Sequence, residues 1–507
     1  MIRMPQTLIQ IHYHNGLGGV TRVVRQYEQA FKRISRTGHS LFFSADRNGR
    51  NDTSVAGAEC DYACYENPES FEAVRHRIYR KLQNLIKTCT ARPVLIICHN
   101  LSLGKNVALS AAVADVAGKY QHSDEIIFYW VIHDLVEEGR MDLLERVNRL
   151  EDMGAKPWNH LYPCKGVQYV VLNRRDEYLL KKCMIGVKVL PNHIPSPRKI
   201  HSGVIEKTEQ IIRRACPTSR SSSDRPIFFY PVRVISRKNV IEAIILAVLK
   251  QSGILVLGGE GSSPGDISFS EKLRNFCRVH GLDVIFDIQS RAQIAGVDQE
   301  DVFPACYSCC DWCLTTSIAE GFGYSLYEPW AYGTPVIGRA PEGFHCSGKI
   351  VLHYLYRSFE IPITWISIDR LFALYDKHLK PFGSDRKQAI GRAKEALEKK
   401  GSVDFGLLDH MQQFSILERL VMNLDEAKQL ESPLHRQMEW IRSRIHIISD
   451  NRSKIETYFT TGFDKRFKRC YMNGHVDKNN TIFYDLSPLR SHFMKPHSSR
   501  ILLAAKS

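Results

Sequence analysis

Two glutamates, Glu320 and Glu328, are separated by seven residues in the run SIAEGFGYSLYEPWAYGTPVIG, residues 317–338. A carboxylate accepts two hydrogen bonds and can grip a vicinal diol, so two of them can hold two sugar rings. Gly321 and Gly323 keep the first on a loop, and a helix then carries the second. An acidic helix start favoured by the dipole would account for one carboxylate, but not for the glycine frame around both. Upstream, Arg233 and Lys238 lie in PVRVISRKN, just past a strand. Two fixed cations at a strand's C-terminal end suit a diphosphate, both at rest and as charge builds on a departing group. Basic residues in a surface loop are an equally good reading of that pair. Gly16, Leu17, Gly18 and Gly19 stand between the first strand and the first helix, where backbone N–H groups can meet an anion. Such turns are also glycine-rich for steric reasons alone. The full G-x-G-x-x-G spacing and an acidic end to the second strand are both missing, so no NAD site is expected. His133-Asp134 follows one apolar strand and His99-Asn100 another. A satisfied buried histidine is the alternative reading of His133.

Short apolar strands alternating with longer helical patterns must position these groups. Thr7–His14, Ser40–Ser44, Val94–His99, Ile126–His133 and Gln168–Leu172 read as strands, with a helix over Val20–Arg36. Ile126–His133 is almost wholly apolar, as a strand covered on both faces should be. The alternation indicates a parallel sheet with helices on both sides. It pauses around Val187–Pro197, which contains VLPNHIPSP and reads as a linker. A helical piece follows, then Cys216–Pro226 as an exposed loop. The pattern resumes with strands at Ile227–Tyr230, Gly253–Leu257, Asp283–Ile288, Trp312–Thr316 and Pro335–Gly338. The expected domains are thus 1–193, 194–385, and a helical basic region over 386–507.

The 507 residues exceed what one core can serve. No stretch has the ~18 uninterrupted apolar residues of a membrane span, and the N-terminus lacks a signal-peptide pattern. A cytoplasmic protein with reduced thiols is expected. Cys306, Cys309, Cys310 and Cys313 crowd into CYSCCDWC, but structural zinc sites space their cysteine pairs further apart, so buried thiols are expected and no metal. The net charge of +15 is uneven: residues 431–507 hold twice as many Lys and Arg as Asp and Glu. A basic stretch at Arg75–Lys87 lies on a helix whose other face carries Phe71, Val74, Ile78, Leu82 and Leu85. Its plain reading is a core-facing stripe with a solvated basic back; peripheral contact with anionic lipid is the alternative, and nucleic acid is not expected.

As a set, these motifs resemble the retaining GT-B glycosyltransferases of the large family 4 (group 1) type, over roughly residues 6–345. The match lies in the Gly16–Gly19 loop, His133-Asp134, Arg233 with Lys238, and Glu320 with Glu328 in EGFG…E…GTPV. Leu190-Pro-Asn192 and Gly258–Gly261 add comparable pieces. The resemblance implies two Rossmann-like doubly wound parallel-sheet domains facing a cleft, and a hexosyltransferase that uses a nucleotide-sugar donor. Its acceptor would be a glycan, a lipid-linked sugar or a small molecule. By position, Arg233 and Lys238 would bind the donor diphosphate, Glu328 the ribose and Glu320 the transferred sugar. Gly16, Gly18 and Gly19 would line the phosphates, and His133 would touch the sugar near the reacting carbon. His99-Asn100 would border the acceptor. The chain contains no D-x-D, in keeping with a type that needs no bound metal or other cofactor. Pro329 and Trp330 depart from the pattern, and the proline implies that the helix starts late or kinks. With both glutamates committed to donor hydroxyls, same-face attack with retention is expected. A nucleotide-sugar epimerase on the same fold, or a non-catalytic nucleotide-sugar-binding protein, are the rival readings.

Overall fold

The computed structural model describes residues 4–13, 19–35, 37–44, 54–56, 68–138, 141–152, 154, 156–216, 224–261, 264–341, 344, 347–380, 386–472 and 484–494. They form two compact units. The first combines the chain up to His193 with Thr461–Met494, and the second runs Ile194–Thr460. The region 386–507 is therefore shared: its helices up to Thr460 belong to the second unit, and the next segment returns to the first.

The first unit is a seven-stranded parallel sheet in the order β3-β2-β1-β4-β5-β6-β7. Its strands are β1 (Thr7–Ile11), β2 (His39–Ser44), β3 (Ser54–Ala56), β4 (Val94–His99), β5 (Ile126–Ile132), β6 (Val167–Val171) and β7 (Val187–Val189). Every residue of β1, β4 and β5 is buried, which follows from their near-continuous apolar runs. The reversal of strand order falls between β1 and β4, so these strands open a crevice at their carboxyl ends. Two strands escaped the sequence reading. β3 and β7 are three residues each at the sheet's edges, and β7 lies inside the expected linker.

The helix Phe463–Tyr471 completes this unit. Phe463 and Phe467 are fully buried, Phe467 lies 5.2 Å from Tyr27, and Tyr471 packs edge-on against Tyr129 at 4.7 Å. Each buried phenylalanine contributes about 1.5–3 kcal/mol. Asp464 takes both guanidinium bonds of Arg33 at 2.6 and 2.7 Å, while Lys465, Lys468 and Arg469 face outward. The helix Pro68–Thr88 follows its plain reading, with Phe71, Val74, Ile78 and Leu82 buried and Arg77, Arg80, Lys81 and Lys87 exposed.

The second unit holds five parallel strands in the order β10-β9-β8-β11-β12. They are β8 (Ile227–Val234), β9 (Ile254–Glu260), β10 (Val284–Ile285), β11 (Trp312–Thr315) and β12 (Val336–Gly338). Here the order reverses between β8 and β11, the two strands whose carboxyl ends carry the basic run and the glutamate loop. A buried ion cluster ties the later segments to this sheet. Arg339 bonds Glu242 at 2.9 and 2.7 Å and Asp404 at 2.9 and 2.7 Å. Asp404 ends a short strand, Ser402–Asp404, that pairs antiparallel with Glu360–Pro362 in a stretch expected to be helical only. Gln437 covers the end of β12 by bonding both the N–H and the C=O of Gly338, at 2.6 and 3.0 Å.

Candidate active site

The loop after β8 is a 3-10 turn, Ser236–Lys238, closed by Asn239 in the left-handed region at φ 50°. Its carbonyls are fixed from below. The Tyr230 hydroxyl donates to the Lys238 carbonyl at 2.9 Å, and the Thr316 hydroxyl lies 3.0 Å from the carbonyls of Lys238 and Asn239. The Ile318 N–H donates to the Arg237 carbonyl at 3.0 Å. These bonds join the carboxyl ends of β8 and β11 and hold the cation loop against the glutamate loop.

Across that junction Lys238 forms an ion pair with Glu320 Oε1. Arg237 reaches Oε2 at 3.2 Å and the Ala319 carbonyl at 3.1 Å. The Glu320 side chain is only 7% exposed and that of Lys238 10%. Burial alone would raise the pKa of Glu320, but Lys238 and Arg237 together outweigh it and hold the carboxylate below its usual range. Burial pushes Lys238 down to about 8; Glu320 opposes that fall, and Arg237 and Arg233 add to it. The result is an anchored carboxylate held by two basic side chains.

Gly323 makes the turn possible. It sits at φ 79° before the helix Tyr324–Ala331, and a Cβ there would lie 2.8 Å from Leu326 and 3.5 Å from the Glu320 side chain. That helix carries Glu328, which is partly exposed. The structure corrects the reading of Pro329: the helix begins five residues before it, at Tyr324, and includes it. In so short a helix the missing N–H spares a single bond, and the helix ends two residues later.

Arg233 is exposed on β8, opposite Gly259 of β9. Arg237 was not singled out from sequence. It stands beside Lys238 in the same basic run, and the signal lay in that adjacency.

In the first unit His133 is buried directly after β5, its Nε2 3.2 Å from His99 Nδ1. Asn100 Oδ1 receives the N–H groups of His133 and Asp134 at 3.2 and 3.1 Å, which sets the turn. Burial pushes His133 down to about 4 against the pull of Asp134. Gly16 and Gly18 lie outside the described residues. Gly19 opens the helix Gly19–Ile34, with no atom within 4 Å of where a Cβ would stand. Cys306 and Cys313 are buried where the helix Gln299–Cys309 gives way to β11. Among the described residues no group of three or more His, Cys, Asp and Glu is placed to hold a metal ion. Nor is any helix among them long and apolar enough to cross a membrane.

Two parallel-sheet units, each with a reversal of strand order, make up the GT-B fold, and the chain is a transferase enzyme. No protein-family model matches it. It is 23% identical over 464 residues to mannosylglucosyl-3-phosphoglycerate synthase of Petrotoga mobilis, covering 86% of this chain and 85% of that one. Among solved structures it is similar to sucrose-phosphate synthase from Thermosynechococcus elongatus, with a TM-score of 0.54 and 15% identity. That match covers 92% of this chain and 98% of the other. It is also similar to WaaG, a glycosyltransferase involved in lipopolysaccharide biosynthesis, with a TM-score of 0.50 and 14% identity. Here 92% of this chain and 100% of that one are covered.

Proposed function

We propose that this enzyme moves a sugar, with retention of anomeric configuration, from a nucleoside-diphosphate sugar to a hydroxyl of an anionic sugar-containing acceptor. The observation that carries this reading is the Lys238–Glu320–Arg237 cluster at the second unit's strand reversal. There a carboxylate able to grip sugar hydroxyls stands beside cations able to grip a diphosphate. Lys238 has three N–H donors and can hold Glu320 and a phosphate oxygen together. Arg233 extends the cationic edge, and Glu328 serves the ribose.

Both oxygens of Glu320 face cations, which makes it a poor nucleophile and favours same-face displacement. The bond from the anomeric carbon to the diphosphate oxygen breaks, and the bond to the acceptor oxygen forms. The departing phosphate oxygen takes the acceptor's proton, while Arg237 and Lys238 stabilise its charge. His133 contacts a substrate hydroxyl. No metal enters this scheme, so EDTA is expected to leave the rate unchanged; a chelator-sensitive rate would count against it. An anionic acceptor is supported by the net charge of +15 and by the phosphoglycerate in the name of the Petrotoga relative. A lipid-linked or glycan acceptor with a phosphate group has the same chemistry.

A transfer assay tests the reading, with nucleotide sugars offered against sugar phosphates and glycosylated phosphoglycerates. Glu320→Gln and Lys238→Ala should each lower kcat by roughly a hundredfold to a thousandfold with the fold intact. Near-normal turnover in both variants would sink the assignment, and inversion at the anomeric carbon would sink the mechanism.

A further inference from the structure

Three buried side chains form a line across the carboxyl ends of β1, β4 and β5. The Gln10 amide nitrogen donates to the Val24 carbonyl at 2.9 Å, Gln10 Oε1 lies 2.9 Å from His99 Nε2, and His99 Nδ1 lies 3.2 Å from His133 Nε2. Gln10 is 1% exposed, His99 0% and His133 5%.

The hydrogens on this line follow from chemistry. A carbonyl only accepts, so Gln10 must turn its nitrogen to Val24 and its oxygen to His99. Facing that oxygen, His99 Nε2 carries a hydrogen. Burial, with His133 and His12 close by, holds His99 neutral, so its Nδ1 keeps a lone pair. His133 Nε2 must then be the donor between the two rings. His133 is itself neutral, which leaves its remaining lone pair on Nδ1. Among the described residues no group hydrogen-bonds that nitrogen.

We infer that Gln10 and His99 are positioning residues that lock His133 in the tautomer whose Nδ1 accepts a hydrogen bond from a substrate hydroxyl. The inference rests on the proposed sugar transfer. It gives that hydroxyl, one that the transfer leaves intact, a direction: its hydrogen points to His133. A histidine that ionises so far below neutrality is a poor general base, so the proton of the attacking hydroxyl goes elsewhere, to the leaving phosphate oxygen.

The test uses the full chain with ring-15N-labelled histidine. Long-range 1H–15N spectra read the tautomer of each ring, and His133→Asn assigns the signal. Wild type should show His133 protonated at Nε2. Gln10→Leu removes the oxygen that fixes His99, and His99→Asn breaks the line at its middle. Gln10→Leu should give mixed His133 tautomers, and both variants should lower kcat by roughly tenfold to a hundredfold with the donor KM unchanged. An Nδ1–H tautomer in wild type overturns the inference. So does a Gln10→Leu variant with wild-type tautomer and kcat. Transfer absent from wild type would count against the functional reading alone, because the spectra report the tautomer without turnover.

Discussion

Lys238 is the residue on which donor binding turns, and its ionisation gives a pH test. Burial brings its pKa down to about 8. It is therefore a cation below that pH and neutral above it, and only the cation attracts a diphosphate. Affinity for a nucleoside diphosphate should be steady below pH ~7.5 and fall above pH 8, by up to about tenfold per unit. Titration calorimetry across pH 6.5–9.5 checks this. Lys238→Arg keeps its charge throughout and should flatten the high-pH limb; a limb that persists in that variant would assign it to another group. At this scale the sequence was informative about residue types and less so about partners. Glu320 was singled out by its spacing and glycine frame, and Lys238 by its place in a basic run past a strand. Their pairing with Arg237 was not, because two loops 82 residues apart in the chain meet only once β8 and β11 lie side by side. The Gln10–His99–His133 line was hidden for the same reason. Gln10 sits in an alternating strand, where periodicity groups it with His12 and His14 and says nothing of its amide's partners.

Among the elements, the junction of β11 and β12 is the most sensitive to substitution. Gly338 has φ 121°, and a Cβ there would stand 1.9 Å from the Thr315 carbonyl oxygen. Gly338→Ala must move backbone and should cost on the order of 3 kcal/mol or more. The neighbouring Arg339 holds two buried carboxylates, and Arg339→Leu would leave Glu242 charged without its partner. A loss of about 3–5 kcal/mol is expected in denaturant unfolding, and a loss under 1 kcal/mol would show that the cluster relaxes. Long, strongly apolar strands such as β4 and β5 were readable because burial on both faces leaves a continuous signature. The edge strands β3 and β7 are too short to leave one. Pro329 misled for a local reason, since a proline near the end of a short helix breaks little.

Over the whole molecule, buried neutral histidines set the acid limit. His133 and His193 are each pushed down to about 4, mainly by burial, and His99 lies well below the usual range. The unfolded chain takes up protons on these rings below pH ~6.5 while the folded one does not, so stability falls as pH drops from 6.5 toward 4. Glu137 works the other way: burial raises it to about 7, and its contribution grows as pH falls from 7 toward 4.5. With His160 also lowered and Glu242 also raised by burial, four histidines outweigh two glutamates, leaving a net loss of roughly 1–3 kcal/mol per pH unit. Urea unfolding at pH 7 and pH 5 reads this directly, and equal stability at the two would mean the histidines are hydrated. The return of Thr461–Met494 to the first unit is also a property of the whole chain. No local pattern announces it, because the basic face of Phe463–Tyr471 is as plain in sequence as the aromatic face it buries against Tyr27 and Tyr129.

The central claim is that the second unit binds a nucleoside-diphosphate sugar through Lys238 and Glu320. A thermal-unfolding screen of wild type and Lys238→Ala against nucleoside diphosphates and their sugars tests it most directly. At ~100 times its dissociation constant, the right donor adds roughly 2.7 kcal/mol of stability. The account predicts a clear upward shift for one nucleotide series in wild type and its loss in Lys238→Ala. Absence of any shift in wild type, or an equal shift in the variant, would contradict it.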